Sequence, residues 1–151
     1  MNTTTKWALI VAGLYWAFKS FGKGAIDSQI RNSFMNAGFN SDNAKWWAAV
    51  SRFETGNYTS ELAIKYNNYF GMTSPGQTGV NLGKASTTNF LKYASVQDSV
   101  NDVIAWVTRN NLSKQYPTLS TLIAAMADNH YFTEDRVIYF NGVTADLIKV
   151  L

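Results

Sequence analysis

The stretch that decides the fold is FETGNYTSELAIKYNNYFG, residues 53–71, which sets the acid Glu54 before a glycine-rich segment. Ahead of it, apolar and small residues recur at helical spacing. They are Ala44, Trp47, Ala48 and Ser51. Gly56 offers the left-handed conformation that commonly ends a helix, so Glu54 is predicted in the last turn of this helix.

An acid in the last turn of a helix is unusual, because the negative end of the helix dipole disfavours its ionised form. The aromatic residues that precede Glu54 would also remove water from it, which again favours the protonated acid. A protonated carboxyl group is what the general acid of a glycosidase requires. On composition alone, a solvated surface acid that pairs with Arg52 or Lys65 is the favoured alternative.

Length and composition limit the other functions open to the chain. Its 151 residues, 46% hydrophobic and 15% aromatic, are enough for one domain with a sizeable core. The chain has no cysteine and a single histidine, His130, so we predict no disulfide, metal site or cofactor. The net charge of +3 is modest and scattered, which argues against a nucleic-acid surface. It suits an anionic wall polymer or phospholipid surface.

The amino terminus carries a continuous apolar run, Trp7–Phe18, between Lys6 and Lys19. As a helix, this run spans roughly 18 Å against a hydrocarbon core of about 30 Å, so it crosses a bilayer only if its flanks enter the membrane edges. We predict that residues 1–24 form a hydrophobic membrane-anchor helix with a short linker, and that residues 25–151 form the globular domain. A signal peptide and a buried core helix are the alternatives.

Helical periodicity occurs on both sides of a glycine-rich segment between Phe70 and Tyr93. The predicted helices cover residues 25–38, 41–53 and 60–67 before it, and begin at Ser95, near Leu119 and at Thr133 after it. The last helix is expected to face the core with Val137, Phe140, Thr144, Leu147, Ile148 and Leu151. We interpret the segment between them as a small β lobe or extended loop. The fold class is therefore α+β, mainly helical, with Glu54 lining a cleft.

Five short motifs follow one another along this domain. They are ETG at 54–56, SELA at 60–63, NNYFGM at 67–72, YASVQDS at 93–99 and YFT at 131–133, with Tyr139 after them. In order and approximate spacing they resemble the glucosaminidase branch of the lysozyme superfamily. These are the peptidoglycan hydrolases of bacterial autolysins, flagellar assembly and phage lysis. The resemblance implies a lysozyme-like fold and cleavage of β-1,4 glycan bonds with Glu54 as the catalytic acid.

The resemblance also implies further site residues. Tyr131 matches the family's tyrosine and is expected to be catalytic, because a phenol can hydrogen-bond the substrate's acetamido group and support developing charge. Asn68, Tyr93 and Tyr139 are expected to bind substrate. Packing with a solvated hydroxyl is the alternative role for the last two residues, and ending a helix is the alternative for the asparagine.

The second carboxylate that glycosidases normally use is missing from its expected place. No Asp or Glu occurs between Glu61 and Asp98, where family members with a second acid carry it. Three routes stay open: an acid borrowed from Glu61 or Asp98, participation of the substrate's acetamido group, or a lytic-transglycosylase reaction with one acid. The last two are favoured.

Two function classes follow from these observations. The first is a membrane-tethered peptidoglycan-cleaving glycosidase, whose partners are glycan strands and, through the N-terminal helix, a lipid membrane. The alternative is a non-catalytic structural or cell-wall-binding protein of a virion or envelope. Either would be membrane-associated and face the cell wall, and the small size suits a phage protein, in a membrane-containing virion, that opens a local hole.

Overall fold

A computed structural model describes residues 22–75, 77, 79–85 and 88–150. It is mainly helical, as predicted. Its helices are α1 (residues 22–36), α2 (Ser41–Glu54), α3 (Glu61–Tyr66), α4 (Val96–Arg109), α5 (Leu119–Asp128) and α6 (Arg136–Leu147). The predicted membrane run, residues 7–18, lies outside the described residues. Within the described ranges, none of the helices has the length and apolar character needed to cross a bilayer.

Local capping explains where α2 and α3 begin and end. The Asn40 side chain accepts a hydrogen bond from the backbone of Asn43 at 2.8 Å, which satisfies a free N–H at the start of α2. After Glu54 the backbone turns left-handed, with φ of +54° at Gly56. Ser60 caps α3, and Asn67, at φ +49°, ends it. The helix-end position predicted for Glu54 is therefore present.

The centre of the core is Trp47 of α2, which is 1% exposed. Its ring stacks on Phe34 of α1 with centroids 5.4 Å apart, and it meets Phe70 and Tyr131 edge-on at 6.2 and 5.9 Å. Aromatic pairs in these geometries contribute about 0.5–1.5 kcal/mol beyond their buried area. This tryptophan therefore joins the helices to the segments that follow α3 and α5.

The predicted β lobe is not a sheet. Between α3 and α4 the described residues form two isolated bridges, Thr73 with Phe90 and Lys84 with Leu91. Backbone pairs such as Leu91 N–H to the Met72 carbonyl, at 3.0 Å, do not extend into a ladder, and side chains satisfy other backbone groups of the segment. The Asn68 amide donates to two carbonyl oxygens of this loop, those of Met72 and Leu91. The carboxylate of Asp102 in α4 accepts from the backbone N–H of Gly79 at 2.9 Å.

The face predicted for the last helix is also wrong in part. Val137 and Ile148 are 64% and 84% exposed, whereas Tyr139, Val143 and Asp146 are buried. The cause is packing against α2: the Tyr139 side contacts Phe53 and Glu54, which leaves Val137 exposed. The helix also begins later than predicted, because Asp135 is its N-cap.

A buried ion pair joins α1 to α2. Both carboxylate oxygens of Asp27 accept from the guanidinium of Arg52, and the Tyr58 hydroxyl donates to the same carboxylate at 2.7 Å. The third arm of the guanidinium donates to Asn57 in the left-handed turn. Since Arg52 lies two residues before Glu54, the pair fixes the end of α2 and the turn that follows it.

We predict that Asp27→Ala lowers the free energy of unfolding by about 3–5 kcal/mol, because it leaves a buried guanidinium without its partner. The matched control is Glu61→Ala, which removes an ion pair with Lys65 in which both side chains are more than half exposed. This control should change stability little. Urea unfolding followed by circular dichroism measures both, and equal losses would contradict the role given to Asp27.

Candidate active site

Glu54 is the last residue of α2, and its carboxyl group lies between α6 and the loop after α3. Its Oε1 atom accepts a hydrogen bond from the hydroxyl of Tyr139 at 2.5 Å. On the other side is Gly71, at φ +64°, where a Cβ atom would lie 3.1 Å from Glu54 Oε2. The acid is thus held by α6 and covered by backbone that carries no side chain.

The approach of α6 to α2 depends on Gly142. A Cβ atom there would lie 2.1 Å from Cε2 of Phe53, closer than any side chain permits. Glycine is therefore required for Tyr139, one turn earlier in α6, to reach Glu54. The Tyr139 ring stacks on Phe132 with centroids 3.7 Å apart and meets Phe53 edge-on at 5.0 Å, so its hydroxyl is held in place.

Tyr131 holds the covering loop. Its hydroxyl donates to the carbonyl oxygen of Phe70 at 3.0 Å, directly before Gly71. Its ring lies edge-on to Trp47 and Trp106, at 5.9 and 4.9 Å. One tyrosine therefore contacts the acid and the other contacts the backbone beside it.

These groups surround an open cavity of about 360 Å³. Its lining residues are Phe53, Glu54, Phe70, Gly71, Tyr131, Phe132, Thr133, Glu134 and Tyr139. A smaller cavity of about 90 Å³ shares Phe70, Gly71 and Tyr131 with it and extends to Gln77 and His130. A third cavity, between α5 and α6, has the same volume as the first but no acid in its lining. Of these three cavities, the one at Glu54 is therefore the candidate active site.

Burial raises the pKa of Glu54 from 4.5 to about 7. The hydrogen bond from Tyr139 lowers this pKa, since it stabilises the charged form, and the negative charge of Glu134 raises it. Burial and the Glu54 charge raise the pKa values of Tyr131 and Tyr139 well above their ordinary range, so both phenols keep their protons. A protonated carboxyl beside two phenols can donate a proton to a leaving oxygen.

The structure brings Glu54, Tyr131 and Tyr139 together and places two other expected residues elsewhere. Asn68 is fully buried, and its amide donates to the carbonyls of Met72 and Leu91, both at 2.9 Å. Tyr93 is 2% exposed, and its hydroxyl donates to Asp102. Neither residue lines the cavity at Glu54, and both hold the loop that covers it.

The acids suggested for the second role also lie away from this cavity. Glu61 pairs with Lys65 on the surface of α3, and Asp98 accepts from the hydroxyl of Ser95 at the start of α4. Among the described residues, no group of three or more metal-ligating side chains comes together.

Sequence reasoning missed one acid of the cavity, Glu134. It directly follows Thr133, the residue at which the sequence predicts the start of the last helix, and so is taken up in that helix start. The signal that could have found it is its position directly after the YFT motif at 131–133, with a second acid following that can cap the helix by itself.

Comparisons with known proteins identify the family and the fold of the chain. The model of the family described as glucosaminidase, mannosyl-glycoprotein endo-beta-N-acetylglucosaminidase, matches residues 40–145. A chain of the solved type VI secretion system effector-immunity complex from Pseudomonas protegens shares the fold, with a TM-score of 0.63 and 15% identity. That likeness covers 87% of this chain and 91% of the other. No curated protein matches significantly. Since the family model spans most of the chain and includes the acid and both tyrosines, the chain belongs to the glucosaminidase family, lysozyme-like glycoside hydrolases that act on peptidoglycan.

Proposed function

We propose that the chain cleaves the β-1,4 bond of peptidoglycan glycan strands next to N-acetylglucosamine, with Glu54 as the general acid. The observation that carries this proposal is the partly buried Glu54 carboxyl, bonded to Tyr139 at the edge of an open cavity of about 360 Å³. Burial keeps the acid protonated at mildly acidic pH, and the cavity gives a sugar access to it.

In this mechanism, Tyr139 is a positioning residue. Because its hydroxyl donates to Oε1, the acid proton sits on Oε2, the oxygen beside Gly71. Transfer of this proton to the glycosidic oxygen lets the C1–O bond break and produces an oxocarbenium-like centre. Tyr131 lines the same cavity, and its oxygen retains lone pairs, although its proton is donated to Phe70. We assign it the role of supporting the positive charge.

We also propose that the N-terminal run Trp7–Phe18 attaches this domain to a membrane. Support comes from the unbroken apolar sequence between Lys6 and Lys19 and from Trp7 and Trp16, whose rings favour the membrane interface. A tether would keep the enzyme close to the wall that lies against that membrane, on an envelope or in a membrane-containing virion.

Glu54→Gln should reduce cleavage of purified peptidoglycan by a factor on the order of 10² to 10⁴, since the amide keeps the shape but has no acid proton to give. Loss of turbidity and release of reducing ends measure the rate. Glu61→Gln, which changes an exposed acid outside the cavity, is the control and should cleave like the wild type. Equal cleavage by Glu54→Gln and the wild type would refute the assignment of Glu54 as the acid, whereas a wild-type chain that cleaves no peptidoglycan would favour a non-catalytic wall-binding protein.

The pH dependence tests the role of Tyr139. Cleavage needs protonated Glu54, so kcat/KM should fall as pH rises through about 7. Tyr139→Phe removes the hydrogen bond that stabilises the carboxylate, so the midpoint of this fall should move up by about one pH unit. The phenylalanine keeps the ring contacts with Phe53 and Phe132. A midpoint that stays in place, or moves down, would contradict the positioning role.

The membrane proposal predicts that the full chain floats with phosphatidylglycerol-containing liposomes and that a chain without residues 1–21 stays in solution as a folded, helical domain. Leu14→Lys is the matched control, because it places a charge in the middle of the apolar run and should weaken flotation. If the shortened chain unfolds, the run belongs to the core instead.

A further inference from the structure

We infer that Glu134 is the second carboxylate of the reaction and accepts the proton of the attacking water. This inference rests on the proposed function, since it names the partner of Glu54 in the same cavity. It gives the chain the acid that the sequence between Glu61 and Asp98 lacks.

The position of Glu134 supports this role. Glu54 and Glu134 are the acids among the residues that line the cavity of about 360 Å³. The two differ in environment, because Glu54 is partly buried whereas Glu134 is exposed and open to water. Such a difference in environment lets two carboxyl groups take different roles. The buried one stays neutral and acts as the acid, and the one in contact with solvent acts as the base.

Glu134 is not needed to start the helix that follows it. The carboxylate of Asp135 accepts from the backbone N–H groups of Val137 and Ile138 at 2.8 and 3.2 Å, so it caps α6. The preceding acid therefore has no part in the capping contacts of α6. Glu134 lines the cavity instead.

The segment that carries Glu134 is held through two residues, Tyr131 and Phe132. The backbone N–H of Tyr131 donates to the carbonyl of Met126 at 3.0 Å, and its hydroxyl donates to Phe70. The Phe132 ring stacks on Tyr139, the residue bonded to Glu54. These contacts fix the Glu134 backbone relative to the acid. The charge of Glu134 also acts on the ionisation of both Glu54 and Tyr139, which places it within electrostatic reach of them.

The step balances as a hydrolysis. Glu54 gives its proton to the glycosidic oxygen, which keeps the electron pair of the breaking C1–O bond. The oxygen of a water molecule bonds to C1, and the proton it loses passes to Glu134. One water is consumed, and solvent returns the proton from Glu134 to Glu54. When a carboxylate activates water on the face opposite the leaving group, the anomeric configuration inverts.

The test compares Glu134→Gln and Glu134→Ala with the wild type on purified peptidoglycan, using Glu61→Gln as the exposed-acid control. Both Glu134 variants should cleave slower by a factor on the order of 10² to 10⁴, while Glu61→Gln stays near the wild-type rate. Circular dichroism melting should show both variants folded, because the Glu134 side chain is exposed. Sodium azide, a small anionic nucleophile that replaces the activated water, should restore turnover to Glu134→Ala and give a glycosyl azide.

The products separate this inference from the proposed function. Nuclear magnetic resonance of the first product of the wild type on a soluble glycan fragment should show the α-anomer. A β-anomer, a 1,6-anhydro end detected by mass spectrometry, or Glu134 variants as fast as the wild type would overturn the inference while leaving Glu54 as the acid. A wild-type chain that cleaves no peptidoglycan would instead overturn the proposed function.

Discussion

The hydrogen bond between Tyr139 and Glu54 depends on how closely α6 approaches α2, and the site depends on that bond. Gly142 permits the approach, because any side chain there would overlap the Phe53 ring. This contact sets the orientation of the Glu54 carboxyl group. It also sets the position of the segment before α6 and the open side of the cavity. A larger residue at this one position would change all of them.

Placing an acid in this environment has a thermodynamic cost. A pKa raised from 4.5 to about 7 means that the folded state disfavours the charged form by about 3 kcal/mol. Below pH 4.5 this cost is absent, because the acid is protonated in both states. It grows as pH rises through 4.5 to 7 and is complete above that. The aromatic core around Trp47 and the buried Asp27–Arg52 contact stabilise the helices that hold the acid.

Local sequence predicted the elements of the site but not every contact. The end of α2 at Glu54 follows from the helical spacing before it and the glycine after it, and the tyrosines at 131 and 139 follow from the family motifs. The hydrogen-bond partners of Asn68 and Tyr93 were not predictable, because Leu91 lies 23 residues from Asn68 at the far end of the same loop and Asp102 lies 9 residues from Tyr93 in α4. The place of Glu134 in the cavity was not predicted, because a polar residue just before a helix is also typical of an N-cap.

The most direct test of the account is the ionisation of Glu54 itself. The chain contains three glutamates, so carboxyl-¹³C labelling of glutamate gives three signals, and Glu54→Gln identifies the one that belongs to the acid. We predict that this signal titrates with a midpoint of about pH 7. A midpoint near 4.5, the value of an ordinary glutamate, would show that the carboxyl is ionised at working pH and would contradict its role as the proton donor.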